Sequence, residues 1–115
     1  MKLKDIIKEL DLEVKTRDQN PEAEVKGAYA SDLLSDVMAH SIEGCLWLTL
    51  QIHPNIVAVA SMRDMAGIIL VNGREPEAET IKRSNEENVT IMVSKLSTFD
   101  LAGKLYKMGV RDGKK

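Results

Sequence analysis

The residues with useful chemistry fall in four short polar stretches, each placed just after an apolar or alternating run. Ser31 and Asp32 follow Ala30, and Gln51, His53 and Asn55 follow Leu50. Asn72, Gly73, Arg74 and Glu75 follow Val71, and Ser94, Lys95, Ser97 and Thr98 follow Val93. Where such stretches lead from a strand into a helix, free backbone N–H groups at the helix starts can hold a phosphate or carboxylate. Arg74 and Lys95 would add positive charge. Ser31, His53, Asn72, Gly73, Arg74 and Ser97 are therefore the candidate ligand-binding residues. Their plainer reading stands beside this one: Ser31, Asn55, Ser97 and Thr98 suit ordinary helix caps, and Asn72-Gly73 suits a turn leaving a strand.

His53 has the ring chemistry of an acid, a base or a phosphate donor near neutral pH. No acidic or nucleophilic partner is fixed beside it by spacing, so no catalytic residue is assigned. His40 lies near an expected helix end, where the dipole or solvent would engage it. Cys45 heads an apolar run and reads as a small buried hydrophobe. Trp47, between Leu46 and Leu48, reads as core or as an oligomer contact. The sequence holds no Gly-x-x-x-x-Gly-Lys-Ser/Thr phosphate loop and no Gly-x-Gly-x-x-Gly, and its Cys and His residues lack zinc spacing. No metal and no cofactor is expected.

The elements that must position these residues follow from periodicity. Leu3, Ile6, Ile7 and Leu10 recur at helical spacing, and residues 12–16 alternate as a short strand. Asn20-Pro21 marks a turn, residues 25–30 a second strand, and Ser31-Asp32 the start of a helix carrying Leu33, Leu34, Val37 and Met38. Apolar strands are expected at 45–50, 67–71 and 89–93, separated by helices at 55–64 and 76–88. A last helix, capped by Ser97 with Asp100 three residues on, runs to about Met108 and stops at Gly109. Strands apolar throughout need cover on both faces, and alternation with helices implies parallel pairing. The expected fold is a three-layer α/β/α domain with a mostly parallel sheet of about five strands. Residues 1–110 form it as one domain, with 111–115 as a frayed tail.

The chain has 115 residues, 43% apolar and 30% charged, the composition of a folded globular protein. Aromatics at 3% require an aliphatic core. One cysteine precludes an internal disulfide, and there is neither a long apolar span nor an uncharged leader. A cytoplasmic protein is expected. A net charge of −2 offers no broad positive field, so neither nucleic acid nor membrane is expected as a partner.

Several passages together carry a family resemblance. They are Leu3-Lys4-Asp5-Ile6-Ile7 through Val14, Ser31-Asp32-Leu33-Leu34-Ser35-Asp36-Val37-Met38, and the strand at Trp47. Ala66-Gly67-Ile68-Ile69-Leu70-Val71-Asn72-Gly73-Arg74-Glu75-Pro76 and residues 89–106, with Leu96-Ser97-Thr98-Phe99 inside, complete them. In order and spacing the chain resembles the DRTGG domain over about its whole length. The family's Thr-Gly-Gly corresponds to Val71-Asn72-Gly73, and its Asp-Arg element falls near residues 51–55, where this chain has His53-Pro54. The resemblance implies an α/β domain of the kind that accompanies CBS pairs. In regulated pyrophosphatases such a domain contributes to dimer contacts and to a nucleotide-binding regulatory unit. Related chains are labelled serine kinases of the phosphocarrier protein HPr, but this chain lacks the phosphate loop that such a kinase needs. The expected function is a non-catalytic regulatory or interaction module, a homodimer able to join a larger protein complex. Its dimer contacts are expected on an exposed apolar helix face or an edge strand, with the first helix and the 55–64 helix as candidates. The alternative is a module binding an adenine nucleotide or another phosphorylated small molecule.

Overall fold

The computed structural model describes residues 1–17 and 20–113. In chain order the elements are α1 (Leu3–Glu9), β1 (Glu13–Val14), β2 (Gly27–Ala30), α2 (Leu34–His40), β3 (Cys45–Thr49), α3 (Asn55–Met62), β4 (Gly67–Leu70), α4 (Ala78–Glu87), β5 (Ile91–Val93) and α5 (Thr98–Lys107). They build one five-stranded sheet in the order β1-β5-β4-β3-β2. β2, β3, β4 and β5 are mutually parallel, and β1 closes the far edge antiparallel to β5, with Glu13 opposite Val93. The expected mixed, mostly parallel α/β architecture is the observed one.

Strict alternation along the central strands sorts their side chains into two cores. Leu46, Leu48, Ile69 and Met92 face α1 and α5, meeting Leu3, Ile6, Leu101 and Leu105. Trp47, Ile68, Leu70 and Ile91 face the other way, onto Val37 of α2 and Ile56, Val57 and Ala60 of α3. The order β2 to β5 never reverses, so its three crossover helices all lie on one face, as right-handed connections require. The opposite face is left to the two terminal helices.

Segments near both ends of the described chain are tied to the rest of the fold. Leu3 N–H donates to Ala23 O (2.9 Å), Lys4 N–H to Pro21 O (2.9 Å) and Val25 N–H to Met1 O (2.9 Å). The Glu22 carboxylate bridges Lys2 (2.8 Å) and Lys4 (2.6 Å), and the N-terminal ammonium pairs with Glu24. At the other end, Ala28 N–H donates to Arg111 O (2.7 Å) along the outer edge of β2. Gly27 permits this approach, because a Cβ there would lie 2.9 Å from Arg111 O. Lys114 and Lys115 lie outside the described residues.

Leu48 and Ile69 are buried on the α1/α5 face. Truncating either to Ala costs about 2–5 kcal/mol in denaturant unfolding, from lost transfer energy and the cavity left behind. A second prediction concerns acid. The hydrogen bonds from Lys2 and Lys4 hold the Glu22 carboxyl at about 2, below its ordinary 4.5. A depressed carboxyl stabilises the folded state above the unfolded value and loses that effect as pH falls through the folded one. Glu22→Gln therefore flattens the fall in thermal midpoint between pH 4.5 and 2, and high salt does the same.

Candidate functional site

The polar stretches named from the sequence gather at the carboxyl edge of the parallel strands, where ligands collect in folds of this kind. Much of their hydrogen-bonding capacity is turned inward. Past the end of β2, Ser31 N–H donates to Leu48 O (3.2 Å), and Trp47 Nε1–H donates to Ser31 O (2.8 Å). Asp32 was expected to help open the next helix. Instead its Oδ1 accepts from Thr49 Oγ1 (2.8 Å) and Leu50 N–H (2.7 Å), while Gln51 Nε2 donates to Asp32 O (2.9 Å). Ser31 Oγ accepts from Leu33 N–H (3.2 Å), and α2 begins only at Leu34, without a side-chain cap. The donors at the end of β3 compete for the carboxylate, and they delay the helix by two residues.

His53 occupies the next loop, and its Nδ1 accepts from Asn55 N–H (3.1 Å), the first residue of α3. That bond gives the ring proton to Nε2 in the neutral form. Asn55, expected as a cap, makes no side-chain cap; Pro54 holds that place, and the preceding histidine binds the helix start. Ile52 O accepts from Thr80 Oγ1 (2.7 Å) and Glu77 N–H (3.3 Å), fastening this loop to α4.

The chain leaves β4 toward one face of the sheet and leaves β5 toward the other, so a crevice must open between these adjacent strands. Two backbone bonds fill it. Asn72 N–H donates to Leu96 O (2.8 Å), and Gly73 N–H donates to Ser94 O (2.8 Å). Asn72 and Gly73 take φ of 57° and 66°, and Arg74 N–H returns to Val71 O (3.1 Å), which is a type I′ turn. The amides of residues 72, 73 and 74 are thus spent on carbonyls, leaving the exposed Arg74 and Lys95 side chains as the positive groups of the crevice mouth. Neighbouring Glu75 pairs with Lys15 (2.7 Å). Ser97 caps α5 as expected, its Oγ accepting from Asp100 N–H (3.2 Å).

One cluster escaped the sequence reading. Tyr29 OH donates to Asp36 Oδ2 (2.7 Å), and His40 Nδ1 lies 3.1 Å from Asp36 Oδ1. The Tyr29 hydroxyl first, and the Ser31 hydroxyl second, hold the Asp36 carboxyl below its ordinary range. The i,i+4 spacing of Asp36 and His40 was a legible signal; the tyrosine arrives only through the pairing of β2. Cys45 is fully buried, which pushes its thiol up and away from nucleophilic use. Among the described residues no three His, Cys, Asp or Glu side chains group as metal ligands, and no helix is long and apolar enough to cross a membrane.

A groove of about 430 Å³ lies between α5 and β2, floored by Ala28, Ala30 and Ala102 and walled by Tyr106 and Arg111. The Arg111 guanidinium sits 3.6 Å from the Tyr106 ring centre and donates to Tyr106 O (2.8 Å). On α5, Phe99 is 86% exposed and Tyr106 61%.

The regulatory region of Clostridium perfringens pyrophosphatase, its CBS and DRTGG domains in complex with the activator diadenosine tetraphosphate, has a similar structure. The TM-score is 0.69 over 97% of this chain and 48% of that one, at 14% identity. The fold is DRTGG-like. At this identity the fold is what the two chains share, and the present chain spans about half the length of the other. Neither the family models nor the sequences of curated proteins give a match. The DRTGG-like fold agrees with the order of motifs along the sequence.

The Asp32 bonds give a third prediction. Asp32→Ala lowers stability by about 1–2 kcal/mol, because Thr49 Oγ1 and Leu50 N–H lose a charged acceptor at a partly wet site. Asp32→Asn keeps an acceptor oxygen and costs less than half as much. Equal losses in chemical denaturation would show that the acceptor is not what matters.

Proposed function

We propose that this chain is a regulatory or interaction module without catalytic chemistry of its own, acting as a homodimer that can join a larger protein complex. The observation that carries this reading is a contrast between two surfaces. At the carboxyl edge of the sheet the amides of residues 72–74 are spent within the chain, whereas α5 presents Phe99 and Tyr106 to solvent. Large exposed aromatics near an apolar groove mark interaction surfaces. Of the dimer faces expected from the sequence, α3 also leaves an apolar side chain in solvent, Met62 at 70% exposure, but neither α1 nor α3 carries an aromatic residue. A buried lone cysteine suits a reducing compartment, and we place the module in the cytoplasm.

A second reading has its own support: binding of an adenine nucleotide or other phosphorylated metabolite at the carboxyl edge. The similar pyrophosphatase region is a complex with a nucleotide activator, and in this chain Arg74 and Lys95 keep exposed side chains at the mouth of the β4/β5 crevice. Arg74 would carry the charge, with the side chains of Ser31, His53, Asn72 and Ser97 contributing and Gly73 keeping the turn open, rather than the amides of residues 72–74.

Thermal unfolding against nucleotides and phosphorylated metabolites, at fixed protein concentration and ionic strength, separates the two readings. At one hundred times its dissociation constant a ligand adds about 2.7 kcal/mol and moves the midpoint by several degrees. A selective shift lost in Arg74→Ala supports the second reading. No shift across the panel leaves the interaction module.

A further inference from the structure

Three features stand on the outer side of α5. Phe99 and Tyr106, seven residues apart, stand 86% and 61% exposed. Between them, Gly103 lies on the outermost line of the helix, opposite buried Leu101 and Leu105. A Cβ at Gly103 would meet nothing within 4 Å, and its φ is not left-handed. Glycine inside a helix lowers stability relative to alanine, so its presence on an open surface calls for a reason outside the fold. By helical geometry Phe99, Gly103 and Tyr106 fall within about 60° of one another. They form one outward strip with a low centre and an aromatic ring at each end, and the 430 Å³ groove opens along the Ala102 and Tyr106 side.

The strip is complementary to itself. An antiparallel pairing about a two-fold axis at the Ala102–Gly103 peptide sets Phe99 opposite the partner's Tyr106. The small central residues allow the two backbones to approach closely. The flank beside the strip carries Asp100 in the first turn and Lys104 and Lys107 in the last. In an antiparallel pair the same flanks meet, so Asp100 faces the partner's Lys104 and Lys107, twice over by symmetry. In a parallel pair opposite flanks meet, so Asp100, Lys104 and Lys107 would face the partner's Ala102 and Met108 side and form no ion pairs. Charge therefore selects a second copy of this chain, in the antiparallel sense.

We infer that α5 is the self-docking surface of this protein, with Phe99 of each copy seated in the groove beside the Tyr106–Arg111 stack of the other. The inference rests on the homodimer reading and names the face that serves it. One helix and one groove make a small interface, so the dimer is concentration-dependent.

Sedimentation velocity of the full chain over a wide concentration range tests it. Wild type shifts reversibly from monomer to dimer. Phe99→Asp, at a position exposed enough to leave the thermal midpoint of dilute protein unchanged, weakens the dimer at least about tenfold. Asp100→Lys weakens it similarly, and adding Lys107→Asp in the same chain returns the affinity to within about threefold of wild type. Gly103→Cys, next to the two-fold axis, forms an intermolecular disulfide under mild oxidation, while Glu86→Cys on α4 does not. Native Cys45 is buried and does not compete. A chain monomeric at every concentration overturns both the homodimer reading and this face. A dimer indifferent to Phe99→Asp, with no crosslink through Gly103→Cys, overturns this face and leaves the homodimer standing.

Discussion

A sheet that is dry on both sides sets the terms for the rest of this structure. Every residue of β3 and β4 is buried, so each face of the sheet needs a layer of helices. The four parallel strands follow one another in spatial order, and right-handed crossovers put α2, α3 and α4 on the same side. The opposite side can be covered only by chain outside that run, which means α1 before it and α5 after it. Both do so through two buried residues each, Leu3 and Ile6 in α1, Leu101 and Leu105 in α5.

That constraint also places the crevice. Because α5 must leave β5 toward the face that α4 avoids, the loops after β4 and β5 part company at the one point where a ligand cleft is expected. The turn at residues 71–74 then closes the gap with two 2.8 Å bonds to the loop of residues 94–96. Asp32 does comparable work between the loops after β2 and β3, and Ile52 O between the β3 loop and α4. The polar edge is therefore a seam joining loops to one another, with Arg74 and Lys95 at its margin. The exposed aromatic side chains lie elsewhere, on the outer side of α5.

The element types and their order were legible because they rest on local patterning. Residues 45–50, 67–71 and 89–93 are near-continuous apolar runs, broken by Thr49 and Thr90, and each contains a buried parallel strand. Ser97 was readable as a cap because a cap needs only its own helix start. Asp32 and Asn55 look just as suitable by type, yet neither caps. Competing donors from Thr49 and Leu50 take the first, and the ring of His53 satisfies the amide of the second. The Tyr29–Asp36–His40 cluster divides along the same line: its helical half is a spacing, and its tyrosine depends on which strand lies alongside.

The sequence by itself determined the α/β class, the mostly parallel sheet, the aliphatic core and the four polar stretches at one edge of it. Each follows from periodicity, residue volume or a neighbour within one turn. Only the tertiary structure decided which polar groups are already satisfied and which apolar side chains remain in solvent. Phe99 and Leu101 belong to the same helix and are equally hydrophobic as residues, yet one is 86% exposed and the other fully buried. The line between them is drawn by how α5 lies across β2 and β3, and that follows from sheet order and crossover hand, properties of the whole chain that no local segment carries.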